Sequence, residues 1–542
     1  MFDHLLKGGH MSRSLVARST IAILLLTVPG LAQQVRSSQP AHAAYAGLSA
    51  ANTLVIAEEE QPKSFDPVDT DDSTVNRMTV TAYDALLQYK AGTATLEPDL
   101  ATSYTISPDG KSYTFTLRQG VKFHTGSTFT ADDVKFTMDR IKTLNQGIAF
   151  ILGSYKSTDV LGPYKVRINL STPNAPFLSA IPKFYMLSRT DVMAHVSGTD
   201  MGRAWLKTNE DGTGPFQLVS FSPGQTAIFK QFPGYWAGPA KLDGVVYQFI
   251  GQPSTQELML EHGQVDIADE PALADLPTIS KTPGITINAA ATLVEYFLEL
   301  RVTHKPLDNL LVRQAISYAY DYASHIKNTL RGYGVQAQGP FSPHIPFHDN
   351  SLPVYTLDLA KAKALLTKAG YPNGGFTLKV AYLPALAEET QSVLNLQANL
   401  AKLGITVQPV GMTFPTEAAD IENPNSTIDV YSIYTFPPVA DPDAALVGTF
   451  NCSARTDSYN GSYYCNPTVD AELAQARAST NTMVRSALYK KIQDQIVADA
   501  PALFISNPKW VVAERTWVKG YQYTPSQHET QNVYDISLVG KK

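Results

Sequence analysis

Three stretches of the chain carry residue types whose spacing imitates known chemistry. Asp109-Gly110-Lys111-Ser112 ends like a phosphate-cradling loop, but Thr105 stands where the first glycine belongs, and the segment runs into a strand instead of a helix. Gly212-Thr213-Gly214 is followed by Pro215, which has no amide to offer a phosphate, so it reads as a tight turn. His344 and His348 are four apart, yet Pro343 and Pro346 forbid the helix that would align them on a metal. Neither a G-x-S-x-G elbow nor an H-E-x-x-H helix occurs. Carboxylates are numerous and scattered, so a secreted hydrolase built on a carboxylate pair stays open as an alternative without a motif in its favour.

Cys452 and Cys465 stand in a stretch rich in Ser, Asn, Gly and Tyr. In an oxidising compartment they read as a disulfide, the alternative being two free thiols. Two cysteines with no nearby histidine make no structural zinc site. No metal site, cofactor or catalytic residue is expected.

The elements that must position these residues follow from pattern. Thr53-Leu54-Val55-Ile56-Ala57 reads as a buried strand. In 112–118, Tyr113, Phe115 and Leu117 alternate with Thr114, Thr116 and Arg118, as in a half-buried strand. Thr130 and Asp133 form a capping box ahead of a helix that faces inward through Val134, Met138 and Ile141. Strands follow at 164–170, 215–221, 226–232 and 245–250. After about residue 300, helix alternates with strand. One helical stripe is Val312, Ala315, Ile316, Ala319 and Ala323. Asp358 caps a second helix that stops at Gly370 and Pro372, and a third ends at Gly404 before a strand holding Ile405 and Val407. Helices near 469–478 and 484–499 follow, the second stopped by Pro501. Alternation of this kind predicts an α/β fold with helices on the faces of a sheet.

At 542 residues one core would be too large, so two or three lobes are expected. Hydrophobic residues make up 44% and charged residues 17%, which excludes collagen-like, coiled-coil and disordered classes. Arg13 and Arg18 precede the short apolar run Ile21–Val28, which Pro29 and Gly30 break before the small-residue site Ala41-His42-Ala43. That pattern is an export signal, too short to span a bilayer. No cysteine lies near the site, so a soluble periplasmic protein without a lipid anchor is expected. Removing residues 1–43 takes away four basic residues and Asp3, moving the formal charge from −6 to −9. An acidic mature chain argues against nucleic acid and anionic lipid as partners.

The ordered blocks together resemble a known family. Leu96-Glu97-Pro98-Asp99-Leu100-Ala101 leads through Asp109–Phe115 to Gly120-Val121-Lys122-Phe123-His124 and Thr130–Val134. Gly212–Phe216, Gly234-Tyr235-Trp236, Pro306-Leu307-Asp308 with Val312–Ala315, Ala360–Gly370, Asp441-Pro442-Asp443 and Tyr489–Pro501 follow in register. The chain resembles the dipeptide- and oligopeptide-binding proteins of ABC importers, the family 5 extracellular solute-binding proteins, over nearly all of residues 53–540.

The resemblance implies a type II periplasmic-binding-protein fold, with two ligand-gripping lobes, a hinge and an extra domain. Its division here would be a signal peptide at 1–43; a first lobe from 44–83, 206–296 and 509–542; an extra domain at 84–205; and a second lobe at 297–508. It implies a non-catalytic, monomeric receptor that delivers a peptide or peptide-like solute to a permease and ATPase complex in the inner membrane. An oligosaccharide or a nickel chelate is the alternative cargo. The Cys452–Cys465 spacing also looks like a disulfide of dipeptide-binding relatives.

In such relatives an aspartate takes the ligand's amino group and an arginine its carboxylate. Those places here hold Pro438 and Leu383, and Phe436-Pro437-Pro438-Val439 is apolar throughout. Either an insertion shifts the register, so that Asp441 or Asp443 serves, or the ligand is not a free dipeptide; the second is the expectation. The candidate ligand residues are Tyr382, Phe414, Tyr434, Thr435, Phe436 and Asp441 from the second lobe, with Glu59, Glu60 and Asp71 from the first. Asp441 equally suits capping the helix that follows.

Overall fold

The computed structural model describes residues 48–69, 73–456, 459–525 and 530–541; the basic leader and its small-residue site lie outside them. Strand Thr53–Glu58 is buried at every position, as an unbroken apolar run requires of a strand covered on both faces. It pairs in parallel with Gly244–Phe249 on one side and Ile267–Ala268 on the other. Antiparallel strands Thr226–Gln231 and Phe216–Ser222 extend the sheet from Gly244–Phe249.

One long strand, Ala502–Arg515, belongs to both halves of this sheet. Its beginning pairs with Glu295–Leu300, and its end, from Lys509 on, with Ile285–Ala291. The register slips between Tyr296 and Phe297. The chain therefore crosses between the halves of this sheet twice at one place. The crossing is pinned by side chains: Thr292 Oγ1 donates to the Pro508 carbonyl at 2.6 Å. Asn507 Nδ2 donates to the Val294 carbonyl at 3.1 Å and to Glu295 Oε1 at 2.9 Å.

Beyond the crossing, Val430–Thr435 runs antiparallel to Glu295–Leu300 and parallel to Thr377–Tyr382, which pairs in parallel with Thr406–Gly411. Helices Leu310–Ala319, Leu359–Lys368 and Ala387–Ala401 cover this half through Val312, Ile316, Leu366 and Leu396, all buried with Leu298 and Val380. Burying each such side chain contributes roughly 1.5–3 kcal/mol. Asp358 caps its helix by accepting from Lys361 N at 2.8 Å, as predicted. The stripe through Ala323 is corrected. The helix stops at Ala319, Tyr320 is extended, and Asp321 starts a new turn by accepting from Ser324 N at 2.9 Å, which leaves Ala323 exposed.

A separate antiparallel sheet runs Ala101–Ile106, Ser112–Leu117, Lys165–Leu170, Tyr155–Gly162 in spatial order. Tyr113, Phe115 and Leu117 face its core, where helix Ala131–Leu144 adds Val134, Met138 and Ile141. Thr130 N donates to the Asp133 carboxylate at 2.8 Å, closing the helix start. Tyr185, Leu187, Val192 and Leu206 leave this core and pack with Ile56, Phe229 and Val245 of the large sheet.

Candidate functional site

Strand Val430–Thr435 ends where the chain must leave the sheet. Pro437 and Pro438 have no N–H for a ladder, so Phe436–Val439 turns outward. The chain re-enters as helix Pro442–Phe450, capped by Asp441, which accepts from Asp443 N at 3.0 Å. Phe414 opens helix Phe414–Ile421, with Pro415 in its first turn. Facing these elements are the short helices Gly147–Leu152 and Phe177–Ala180 of the smaller-sheet region. The two sides touch at their rim. Ala175 N donates to the Arg477 carbonyl at 2.8 Å, and the Tyr89 hydroxyl donates to Ser179 O at 2.7 Å and accepts from Ala440 N at 3.4 Å.

Between them lies a cavity of about 1210 Å³. Phe150, Phe414, Phe436 and Tyr459 line it and are exposed by 64%, 51%, 40% and 37%. Among the described residues, Tyr104 is the one other aromatic side chain exposed to that degree. Soluble proteins rarely concentrate apolar faces in this way without something to cover them. The charged side chains on the wall are Asp443 and Arg477, and they bind each other: Arg477 Nε donates to both carboxylate oxygens at 3.1 Å. Burial pushes the Asp443 carboxyl up, against the pull of the Arg477 charge.

The sequence-predicted residues divide. Phe414, Thr435 and Phe436 meet on this wall, with Pro438 beside them. Tyr434 does not line the cavity: it lies behind Phe436, whose ring stacks on its own at 6.1 Å. Its ring packs against Tyr296 at 4.7 Å, and its hydroxyl donates to Glu388. Glu388 also accepts from Ser506 Oγ at 2.8 Å and lies 2.9 Å from His325 Nε2. Tyr382 is half-buried at its strand end and packs on the same core. Asp441 is buried and held by Arg485 Nη2 at 2.8 and 2.7 Å, so its carboxylate serves the helix start and an internal ion pair. Leu383 lies off the wall, its N–H donating to Glu389 Oε2 at 2.7 Å.

Glu59 and Glu60 stand at the end of the first strand, away from this wall. A carboxyl–carboxylate hydrogen bond with Glu270, aided by burial, pushes Glu59 up to about 8. Asp71 lies outside the described residues. Glu58, Asp269 and Glu270 are close enough to share a metal ion, but the Arg77 guanidinium pairs with all three and supplies the positive charge there.

Sequence reasoning missed Phe150, Tyr459 and the Asp443–Arg477 pair. Phe150 sits in an apolar run that reads as core. Tyr459 belongs to the loop closed by the Cys452–Cys465 disulfide, and the disulfide itself was the one sign that this loop is held in place.

Two halves of one α/β sheet joined by crossing strands, a smaller sheet alongside, and a cavity walled from both the smaller-sheet region and the second half define a type II periplasmic-binding-protein fold. The DppA periplasmic binding protein from Helicobacter pylori, solved with the peptide STSA, superposes with a TM-score of 0.74 at 30% identity, covering 90% of this chain and 98% of that one. The glutathione-binding protein GsiB of Pectobacterium atrosepticum is 31% identical over 88% of this chain and 92% of its own length. The dipeptide-binding protein of Escherichia coli is 30% identical over 89% and 94%. Residues 95–457 match the model for bacterial extracellular solute-binding proteins, family 5. The chain belongs to that family, and its relatives are binding proteins. No helix among the described residues is long and apolar enough to cross a membrane.

Proposed function

We propose that the chain is an exported, monomeric periplasmic receptor that captures a peptide or peptide-like solute in the aromatic cavity and delivers it to the permease and ATPase of an ABC importer, without bond chemistry and without a lipid anchor. The observation that carries this reading is the gathering of exposed aromatic faces on one cavity. The peptide and glutathione binders among its relatives favour this cargo over an oligosaccharide, a nickel chelate or hydrolysis. The mechanism is differential affinity. A solute touching both walls stabilises the closed arrangement by the contacts that the open one lacks. The lobes that close would be 44–83 with 206–296 and 509–542 against 297–508, with 84–205 riding on the first. The paired crossing strands at Thr292–Glu295 and Ser506–Lys509 are suited to a hinge, since few backbone torsions there reorient both halves.

Mass spectrometry of what the purified protein releases on denaturation tests this. An intact, stoichiometric peptide-like ligand is expected. Turnover of a peptide or glycan panel with nothing retained would overturn it.

A further inference from the structure

The cavity wall also restricts what the captured solute is. Its apolar part is extensive: Phe150, Phe177, Phe414 and Phe436, with prolines 176, 437 and 438 between them. Its neutral polar groups include the side chains of Ser154, Thr172, Asn174, Thr435, Thr449 and Tyr459, which suit peptide N–H and C=O groups. Its two charges cancel each other within the Asp443–Arg477 pair. The next acid along the chain, Asp441, is buried and already held by Arg485.

An ammonium or carboxylate carried into this cavity would lose its water and find no free counter-charge. The effective penalty for an unpaired buried ion is several kcal/mol, more than a neighbouring neutral hydroxyl returns at about 1 kcal/mol. An aromatic or branched side chain gains roughly 1.5–3 kcal/mol by covering the exposed rings. The volume, about 1210 Å³, lies above the range of roughly 300–1,000 Å³ common for drug-sized ligands, so there is room for several residues.

We infer that the cavity selects solutes whose enclosed part is apolar, with at least one aromatic or large aliphatic group, and which place no ionised terminus against its wall. This rests on the receptor reading above and deepens it. The cargo is then an end-blocked, cyclic or internally recognised hydrophobic peptide-like molecule, not a free dipeptide held by its charges.

Isothermal titration of the full mature chain, freed of bound ligand by unfolding and refolding, with four tetrapeptides tests the inference. These are Phe-Ala-Ala-Phe and Ser-Ala-Ala-Ser, each with free ends and with acetyl and amide ends. The blocked Phe peptide is expected to bind at least tenfold more tightly than its free-ended twin and than the blocked Ser peptide. Equal or tighter binding of the free-ended Phe peptide, or no preference for Phe over Ser, would overturn the inference while leaving the peptide-receptor reading standing. No binding by any of the four would overturn both.

Discussion

Two cavities among the described residues are built on opposite terms. The smaller, about 340 Å³, lies among the Asp84–Asp99 segment, Tyr235, Trp236 and Tyr534. Every polar handle around Asp84 there is spoken for. Thr213 Oγ1, Trp236 Nε1 and the Tyr235 hydroxyl donate to its carboxyl at 2.8, 3.1 and 3.2 Å. The Arg118 guanidinium covers the Trp236 ring at 3.9 Å, and the Tyr534 hydroxyl donates to Ala237 O at 3.0 Å. In the larger cavity the rings of Phe150, Phe414 and Phe436 have no polar handle and remain exposed. A void built around a carboxyl that three donors satisfy holds the fold together. A void framed by partly exposed apolar rings is suited to a ligand that covers them.

The largest way to break the first cavity is Asp84→Ala. It leaves three donors without an acceptor, each costing about 1–3 kcal/mol when buried. Thermal unfolding should show a loss of on the order of 3 kcal/mol or more, while the protein that still folds keeps its ligand affinity. A loss of affinity without a loss of stability would reverse the roles assigned to the two cavities. Next in size is Cys452→Ser with Cys465→Ser. Opening a loop of 13 residues' separation should cost roughly 3 kcal/mol on the chain-entropy account. This change touches both terms of the comparison, because Tyr459 of the larger cavity sits in that loop. The unfolding midpoint should fall and ligand affinity should weaken with it. A variant with undiminished affinity would show that Tyr459 contributes little to the wall.

What was legible in the sequence divides along the same line. Capping by Asp358 and Asp133, the alternation in 112–117 and the stop at Gly370 are local signals, and the structure repeats them. The ordered blocks carried the fold class because they match a known family in order along nearly the whole chain. The cavity was only half legible. Pattern reaches Phe414, Thr435 and Phe436, but it groups Tyr434 with them, though Tyr434 packs inward on Tyr296 and binds Glu388 behind the Phe436 ring. Asp441 and Asp443 are equivalent by type. What separates them is an arginine each, Arg485 and Arg477, more than thirty residues further on, and no local pattern announces such a pairing. Phe150 could not be read as exposed, since an apolar run looks the same whether it meets a core or a void.

The larger cavity is sharpened by Phe414→Ala and Phe436→Ala. Both rings are exposed, so their removal leaves little internal void, and stability without ligand should shift by no more than about 0.5 kcal/mol. Affinity for the co-purifying ligand should fall by about 1–2 kcal/mol for each, or roughly five- to thirtyfold, measured by titration calorimetry. Equal affinity in both variants would remove these rings from the binding surface.

The smallest expected effect lies just behind that wall. Glu417 is buried one turn along the helix that Phe414 opens. Burial, then the nearby Glu389, Glu299 and Asp420 charges, pushes its carboxyl up from 4.5 to about 8. The folded state thus holds a proton that the unfolded chain releases from about pH 4.5 upward. The group's share of stability is whole below pH 4.5 and is lost progressively as the pH climbs to about 8. Glu299, pushed up to about 8 by burial, acts in the same direction. Wild-type stability should therefore decline between pH 5 and pH 8. Glu417→Gln removes one ionisation from that decline. Its stability relative to wild type should rise by about 1 kcal/mol across this range, since a tenfold difference in acidity between folded and unfolded chain is worth about 1.4 kcal/mol and relaxation absorbs much of the whole. Denaturant unfolding at pH 5 and pH 8 measures the difference. Parallel curves would mean that Glu417 ionises freely and that water reaches behind the Phe414 wall, which would make the larger cavity wetter, and less selective for apolar cargo, than its lining implies.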